Sequence, residues 1–166
     1  MSAPMDDLDR IMAVMARAFD PAFGEAWSRR QVEDALTIGN CHYLLIASNG
    51  EEPAPGAHAA GFSLSRRGFE EEELLLFAID PVQRRRGLGA RLLTRFAAAA
   101  RARGARRLLL EMRRGNPAES LYRQFGFIPV GERLNYYRSS GGGRLDAITF
   151  AFDYESTAII AKNHPG

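Results

Sequence analysis

The stretch "DPVQRRRGLGARLL", Asp80 to Leu93, places three arginines directly ahead of Gly-Leu-Gly and then runs into an amphipathic segment. A helix start exposes unpaired backbone N–H groups at the positive end of the macrodipole and so attracts anions. Glycine, lacking a Cβ, lets a phosphate come close to the backbone. Leu88, Leu92, Leu93, Phe96, Ala97 and Ala100 recur at helical spacing, with Gly104 as the stop. Upstream, "LLLFAID" (Leu74 to Asp80) reads as a buried strand ending at Pro81. The unit is therefore strand, short basic glycine loop, helix. Neither common phosphate-binding template fits. A Walker loop needs Lys-Ser/Thr after its second glycine, where Ala90-Arg91 stands, and a dinucleotide fingerprint needs a third glycine, where Leu92 stands. Taken alone, R-x-x-G-x-G is equally an ordinary glycine turn before a helix.

The 166 residues favour one domain with a sizeable core. The composition, 46% hydrophobic and 25% charged, is that of a soluble globular protein. Arg or Glu interrupts every apolar run, so no membrane span is expected. Asp6, Asp7 and Asp9 stand where a signal peptide would carry basic residues and an apolar core. Cys41 is the only cysteine, which excludes an internal disulfide and fits a reducing cytoplasm. A net charge of +2 gives no argument for direct nucleic-acid binding. His42, His58 and His164 show no ligand spacing, and no metal site is expected.

Around the opening unit, the chain alternates helical and strand patterns. Leu8, Ile11, Met12, Met15, Ala18 and Phe19 form one helical face. A second short helix follows Trp27-Ser28, with Ser28 as its N-cap. "HYLLIAS" (His42 to Ser48) and "AAGFSLSRR" (Ala59 to Arg67) read as strands about the breaker-rich turn at 49–56. The acidic run Glu70 to Glu73 reads as a solvated turn ahead of the strand at 74–80. After the long helix come a strand, "RRLLLEM" (Arg106 to Met112), and a short helix from Pro117 to Phe125 closed by Gly126. "FIPVGE" and "AITFAFD" are two last strands around the glycine turn at 141–143. This is a mixed α/β (α+β) fold on one central, partly antiparallel sheet. It occupies residues 1–153, with 154–166 expected to be a loosely held tail.

In that order of elements, "FAIDPVQRRRGLGARLL", "LLLEMRRGNPAESLYRQFGF" and "RLNYYRSSGGGRLDAITF" resemble the GNAT superfamily of acyl-CoA-dependent N-acetyltransferases. The paired tyrosines in "LNYYR" and the following "GRLDAI" are similar to its RimI-type branch, which acetylates the N-terminal alanine of a small-subunit ribosomal protein. "FDPAFGEAWS" resembles that branch's N-terminal substrate segment. The resemblance covers roughly Phe19 to Phe152. It implies a GNAT fold, with a splayed parallel strand pair that binds acetyl-CoA and helices on both sides. Arg84, Arg85, Arg86, Gly87, Leu88, Gly89 and Ala90 would wrap the pyrophosphate of coenzyme A, and Phe77, Ala78 and Ile79 would pair with its pantetheine amides. Asn116 would help hold the cofactor, although "NPAESLY" is one residue shorter than the N-x-x-A-x-x-L-Y of the branch.

The implied chemistry is attack of a neutral amine on a thioester. A free α-amine, with an unperturbed pKa of about 8 against about 10.4 for lysine, is the easier nucleophile. Glu111 ends the apolar run Leu108-Leu109-Leu110 and matches the catalytic glutamate of the motif, a general base acting directly or through water. Read without the resemblance, it is a strand-end carboxylate paired with Arg113 or another arginine. Tyr122 matches the tyrosine that protonates the departing thiolate; otherwise it is a helix aromatic beside Phe125 and Phe127. Tyr136, Tyr137 and Trp27 would shape the groove for the acceptor, or simply pack. The expected acceptor is a protein N-terminus, the alternatives being a small-molecule amine or a non-catalytic acyl-CoA sensor.

Overall fold

The computed structural model describes residues 6–138 and 141–155. Residues 156–166 of the expected tail lie outside that range. Six strands form one sheet: β1 (Cys41–Ile46), β2 (Gly61–Arg67), β3 (Glu71–Ile79), β4 (Arg107–Arg113), β5 (Ile128–Arg138) and β6 (Arg144–Asp153), in the order β1-β2-β3-β4-β6-β5. Every neighbouring pair is antiparallel except β3 and β4. A parallel pair needs a crossover, supplied here by helix α3 (Leu88–Ala102). Helices α1 (Asp7–Ala18) and α2 (Arg29–Ile38) pack on one face, burying Ile11, Val14, Met15 and Val32 against Phe62, Leu64, Leu76 and Ala78. On the other face, α3 and the short α4 (Glu119–Phe125) bury Leu93, Phe96, Ala100 and Tyr122 against Leu108, Leu110, Met112 and Phe150.

Local signals explain the helix ends. Asp6 and Asp9 form a reciprocal capping box on α1, and Ser28 and Gln31 do the same on α2, each satisfying N–H groups with no intrahelical partner. The α1 face, the short helix after Ser28 with its cap, and the Gly126 stop are where the sequence places them.

One acidic segment differs from expectation. Glu71 to Glu73 are not in a turn but form the first residues of β3, and Glu72 is completely buried. Arg103, just beyond α3, donates from Nε to Glu72 Oε1 at 2.9 Å and from NH2 to Oε2 at 2.6 Å, and the Ser65 hydroxyl lies 2.6 Å from Oε2. A run of four carboxylates looks solvated until a guanidinium is brought to one of them by folding. The last two strands are also longer than expected. Asn135 takes a positive φ of 56° and donates its N–H to Asp146 Oδ1, after which pairing resumes at Tyr137↔Leu145.

The sheet feature that positions the site lies in β3. Leu64 pairs with Leu76, but Ser65 pairs with Leu74, so Leu75 is an extra residue. Such a bulge breaks the alternation and sharpens the local twist. Accordingly Leu74 belongs to the core under α3, whereas Leu76 and Ala78 belong to the core under α1. Parallel pairing with β4 ends at Leu74↔Leu110. Beyond it β3 keeps its β2 partners as far as Gly61↔Ile79, and β4 keeps its β6 partners as far as Arg113↔Ala147. The two strands splay, leaving the β4-facing edge of Phe77, Ala78 and Ile79 without a strand partner.

Candidate active site

The loop at the end of β3 is braced from below. Asp80, nearly buried, accepts from the Val82 N–H and pairs with Arg17 at the end of α1 at 3.0 Å. Arg84 folds back to donate to the Ile79 and Ala18 carbonyls, at 3.2 and 3.4 Å. Arg85 has φ 67° and Gly87 φ 77°, so the chain turns through two left-handed residues before α3 begins. Unlike α1 and α2, α3 has no side-chain cap. Its first N–H groups, including those of Leu88, Gly89 and Ala90, have no intrahelical acceptor. Gly89 has a packing role as well: a Cβ there would lie 3.2 Å from Leu121 Cδ2, so the missing side chain lets α4 sit close to α3.

Between the splayed strands lies a cavity of about 950 Å³. Phe77, Ala78 and Ile79 line it from β3, and Arg84, Arg85, Gly87, Leu88, Gly89 and Ala90 line it from the loop and α3. Asn116 and Tyr122 line it from the α4 side. The Asn116 side chain accepts the Ala118 N–H at 2.9 Å, forming the turn that starts α4. The structure thus brings most of the expected cofactor residues to one space. Arg86 is not among the lining residues; it is exposed and donates to Gln83 Oε1.

Tyr122 is buried, with its ring edge-on to Phe77 and Phe127 at 6.0 and 5.9 Å. Burial, with a further contribution from the Glu25 carboxylate, pushes its phenol well above the ordinary value, so it stays protonated at neutral pH. Glu111 does not line the cavity. It shares a face of β4 with Arg113 and lies 3.5 Å from the Arg133 guanidinium of β5. Tyr137 is half-buried, and burial together with the nearby Glu111 and Glu25 carboxylates pushes its phenol up to about 12. Tyr136 is exposed, lies edge-on to Tyr137 at 5.3 Å and carries Arg133 over its ring. Trp27 packs against the core under α1 and does not line the cavity.

Three charged cavity residues, Asp20, Glu25 and Arg113, are not among those that the sequence pattern singles out for the site. Glu25, between α1 and α2, and Arg113, at the end of β4, both line the cavity and pair at 2.9 Å. Glu25 stood inside "FDPAFGEAWS", but nothing in its local pattern set it apart from a solvated turn residue. Cys41 is partly buried on β1, away from this site.

The sequence profile of the Acetyltransferase (GNAT) family matches residues 9–127. The chain belongs to the GNAT acetyltransferase family, whose members take the acetyl group from acetyl-CoA. Among its relatives is a Bacillus subtilis protein provisionally assigned as a ribosomal protein bS18-alanine N-acetyltransferase. It is 30% identical over 143 residues, 85% of this chain and 87% of the relative. The ribosomal protein bS18-alanine N-acetyltransferase of Escherichia coli is 38% identical over 93 residues, 55% of this chain and 62% of that protein. The crystal structure of the ribosomal-protein-S18-alanine N-acetyltransferase from Escherichia coli matches with a TM-score of 0.73 and 29% identity, covering 91% of both chains. Among the described residues, no helix is long and apolar enough to cross a membrane.

Proposed function

We propose that this protein transfers an acetyl group from acetyl-CoA to the α-amine of a protein N-terminus, in a ternary complex. The observation that carries this reading is one cavity reaching from an uncapped helix start beside Arg84 and Arg85 to the Tyr122 phenol. These residues fit coenzyme A. Free N–H groups at the head of α3 suit a pyrophosphate, and the unpartnered edge of Phe77, Ala78 and Ile79 suits an amide chain added as a strand. Bound acetyl-CoA supplies the thioester. The chain supplies the rest: Asn116 at the cofactor wall, Tyr122 to hand its phenolic proton to the leaving thiolate, and Glu111 to take the amine proton through water. Tyr137, near the Glu111 and Glu25 carboxylates, and Tyr136 beside it flank the acceptor's approach, whereas Trp27 is left to the core under α1.

The acceptor assignment draws on the relatives, which are named for acetylating the alanine of ribosomal protein bS18. A ribosomal protein beginning with alanine, met in the cytoplasm, is the proposed substrate; no step requires a metal, nucleic acid or membrane. A short first side chain lets the nitrogen reach the thioester. The test compares an Ala-starting ribosomal peptide, the same peptide blocked at its N-terminus with a lysine free, and spermidine, each read by mass spectrometry. Acetylation is expected on the first alone and should fall roughly 10²–10⁴-fold in Glu111→Gln. Activity confined to spermidine, or equal on the blocked peptide, overturns the acceptor. Undiminished turnover in Glu111→Gln reduces that carboxylate to the partner of Arg133.

A further inference from the structure

Glu25 is an unusual carboxylate for a connecting segment. Asp20 caps a short 3-10 turn, Pro21–Phe23, by accepting the Ala22 N–H, and Gly24 follows in the left-handed conformation at φ 60°. That reversal turns Glu25 into the cavity, where its side chain is only 18% exposed. A carboxylate so enclosed needs compensation. Arg113 gives it through one bond, Nε to Oε1 at 2.9 Å, and the Arg113 guanidinium is itself held over the Phe23 ring at 3.7 Å. The clamp joins the segment before α2 to the end of β4. It uses one carboxylate oxygen; Oε2 makes no hydrogen bond among the described residues. Glu111, in contrast, is outside the cavity lining and faces Arg133.

We propose that Glu25 receives the ammonium group of the incoming acceptor, and that Arg113 is the residue that positions it. This rests on the acyl-transfer reading of the cavity and adds to it a binding determinant for the reacting nitrogen. Glu25 is held at the end of β4 by Arg113, and its carboxylate is close enough to raise the Tyr122 phenol and, with Glu111, the Tyr137 phenol, so an ammonium seated on Oε2 lies on the Tyr122 side of the cavity. An amine arrives largely protonated at neutral pH, and a carboxylate there selects charged acceptors over neutral ones. The same pairing favours the protonated form, which cannot attack. Arg113 beside the carboxylate moderates that effect, and the proton leaves towards Glu111. Glu25 therefore acts on acceptor binding, and Glu111 on turnover.

The experiment measures binding to the coenzyme A-saturated protein of a short Ala-starting peptide and of its analogue with lactate first, a hydroxyl in place of the ammonium. Wild type should prefer the ammonium peptide about tenfold or more, the scale of a hydrogen bond to a charged group. Glu25→Gln should abolish the preference in the folded protein while coenzyme A affinity holds, and Glu25→Asp should restore part of it. Because Glu25→Gln leaves Arg113 unpaired, the double variant Glu25→Gln/Arg113→Gln is needed. It should also lack the preference, and a preference regained there would assign the effect to the stranded guanidinium and overturn the proposal. No preference in wild type overturns it as well, as does a Glu25→Gln enzyme with unchanged KM and a collapsed kcat. Acetylation of the same peptide is scored separately: preference without turnover leaves the ammonium site standing and sinks the transferase reading of this acceptor.

Discussion

Glu72 shows how much depends on a single buried side chain. Burial pushes its carboxyl up, but the two hydrogen bonds from Arg103 and the Ser65 hydroxyl outweigh that, and it titrates below its ordinary value. A depressed folded-state pKa contributes stability that is present above the unfolded value of about 4.3 and is lost as pH falls through the folded one. Removing the guanidinium inverts the sign. In Arg103→Met, burial dominates and the folded-state pKa rises, so the variant loses stability as pH climbs from about 4.3 towards neutrality. The expected cost near pH 7 is about 3–5 kcal/mol, the scale of a buried carboxylate stripped of its partner. Denaturant melts of wild type and variant at pH 5 and pH 7.5 check this. A stability gap that does not widen at the higher pH would mean that Arg103 is not what holds the charge. Glu71 and Glu73 are partly exposed on the same strand, where Glu73 meets Arg66 at 2.9 Å near the surface, and nothing in "EEEE" separates them from Glu72.

The element that makes the site is β3 with its loop and the start of α3. The bulge at Leu75 detaches the end of β3 from β4 but leaves it paired with β2, so the last three residues depend on that pairing for their position. Gly61 is the close-approach point. A Cβ there would lie 2.8 Å from the Ala78 carbonyl oxygen and would collide with the Ile79 side chain, so the backbone must move. Gly61→Ala should cost about 1–3 kcal/mol and weaken coenzyme A binding, because it displaces the edge that the cofactor would pair with. Urea unfolding together with calorimetric titration of coenzyme A tests both halves. Unchanged affinity in the folded variant removes Ala78 and Ile79 from the cofactor edge. The strand, loop and helix were legible in the sequence because apolar periodicity and glycine punctuation are local properties. The bulge was not. "LLLF" is apolar throughout, and an unbroken apolar run carries no phase from which a slip of one residue can be read.

Across the whole molecule, a cofactor that ties β3, the loop and α4 together should stabilise the native state by mass action. At a hundredfold excess over Kd the gain is about 2.7 kcal/mol. At about 2–4 °C per kcal/mol for a chain this long, the melting temperature should rise by about 5–11 °C. Gly87→Trp should abolish the rise, since Gly87 precedes α3 at φ 77°, a conformation that favours glycine, and its missing side chain faces open space in the cavity mouth. Thermal melts with and without coenzyme A decide the matter. An equal rise in the folded variant places the pyrophosphate elsewhere. The far end of the described chain bears on the same core: the Tyr154 hydroxyl donates to the Ala97 carbonyl at 2.6 Å, and its ring packs on Phe152.

The sequence by itself determined the elements, their order, the phosphate-competent loop and the residues that resemble the family's base and acid. Each depends on spacing within a few turns of chain or on a motif at fixed offsets. Only the tertiary structure decided which charges are solvated and which are committed. It joined Arg113 to Glu25 across 88 positions and Arg103 to Glu72 across 31, and it set Glu111 against Arg133. The physical reason is that a carboxylate or guanidinium carries no local signature of its partner. Burial is tolerable only where folding delivers the opposite charge at hydrogen-bond distance, and that delivery depends on how distant segments pack together.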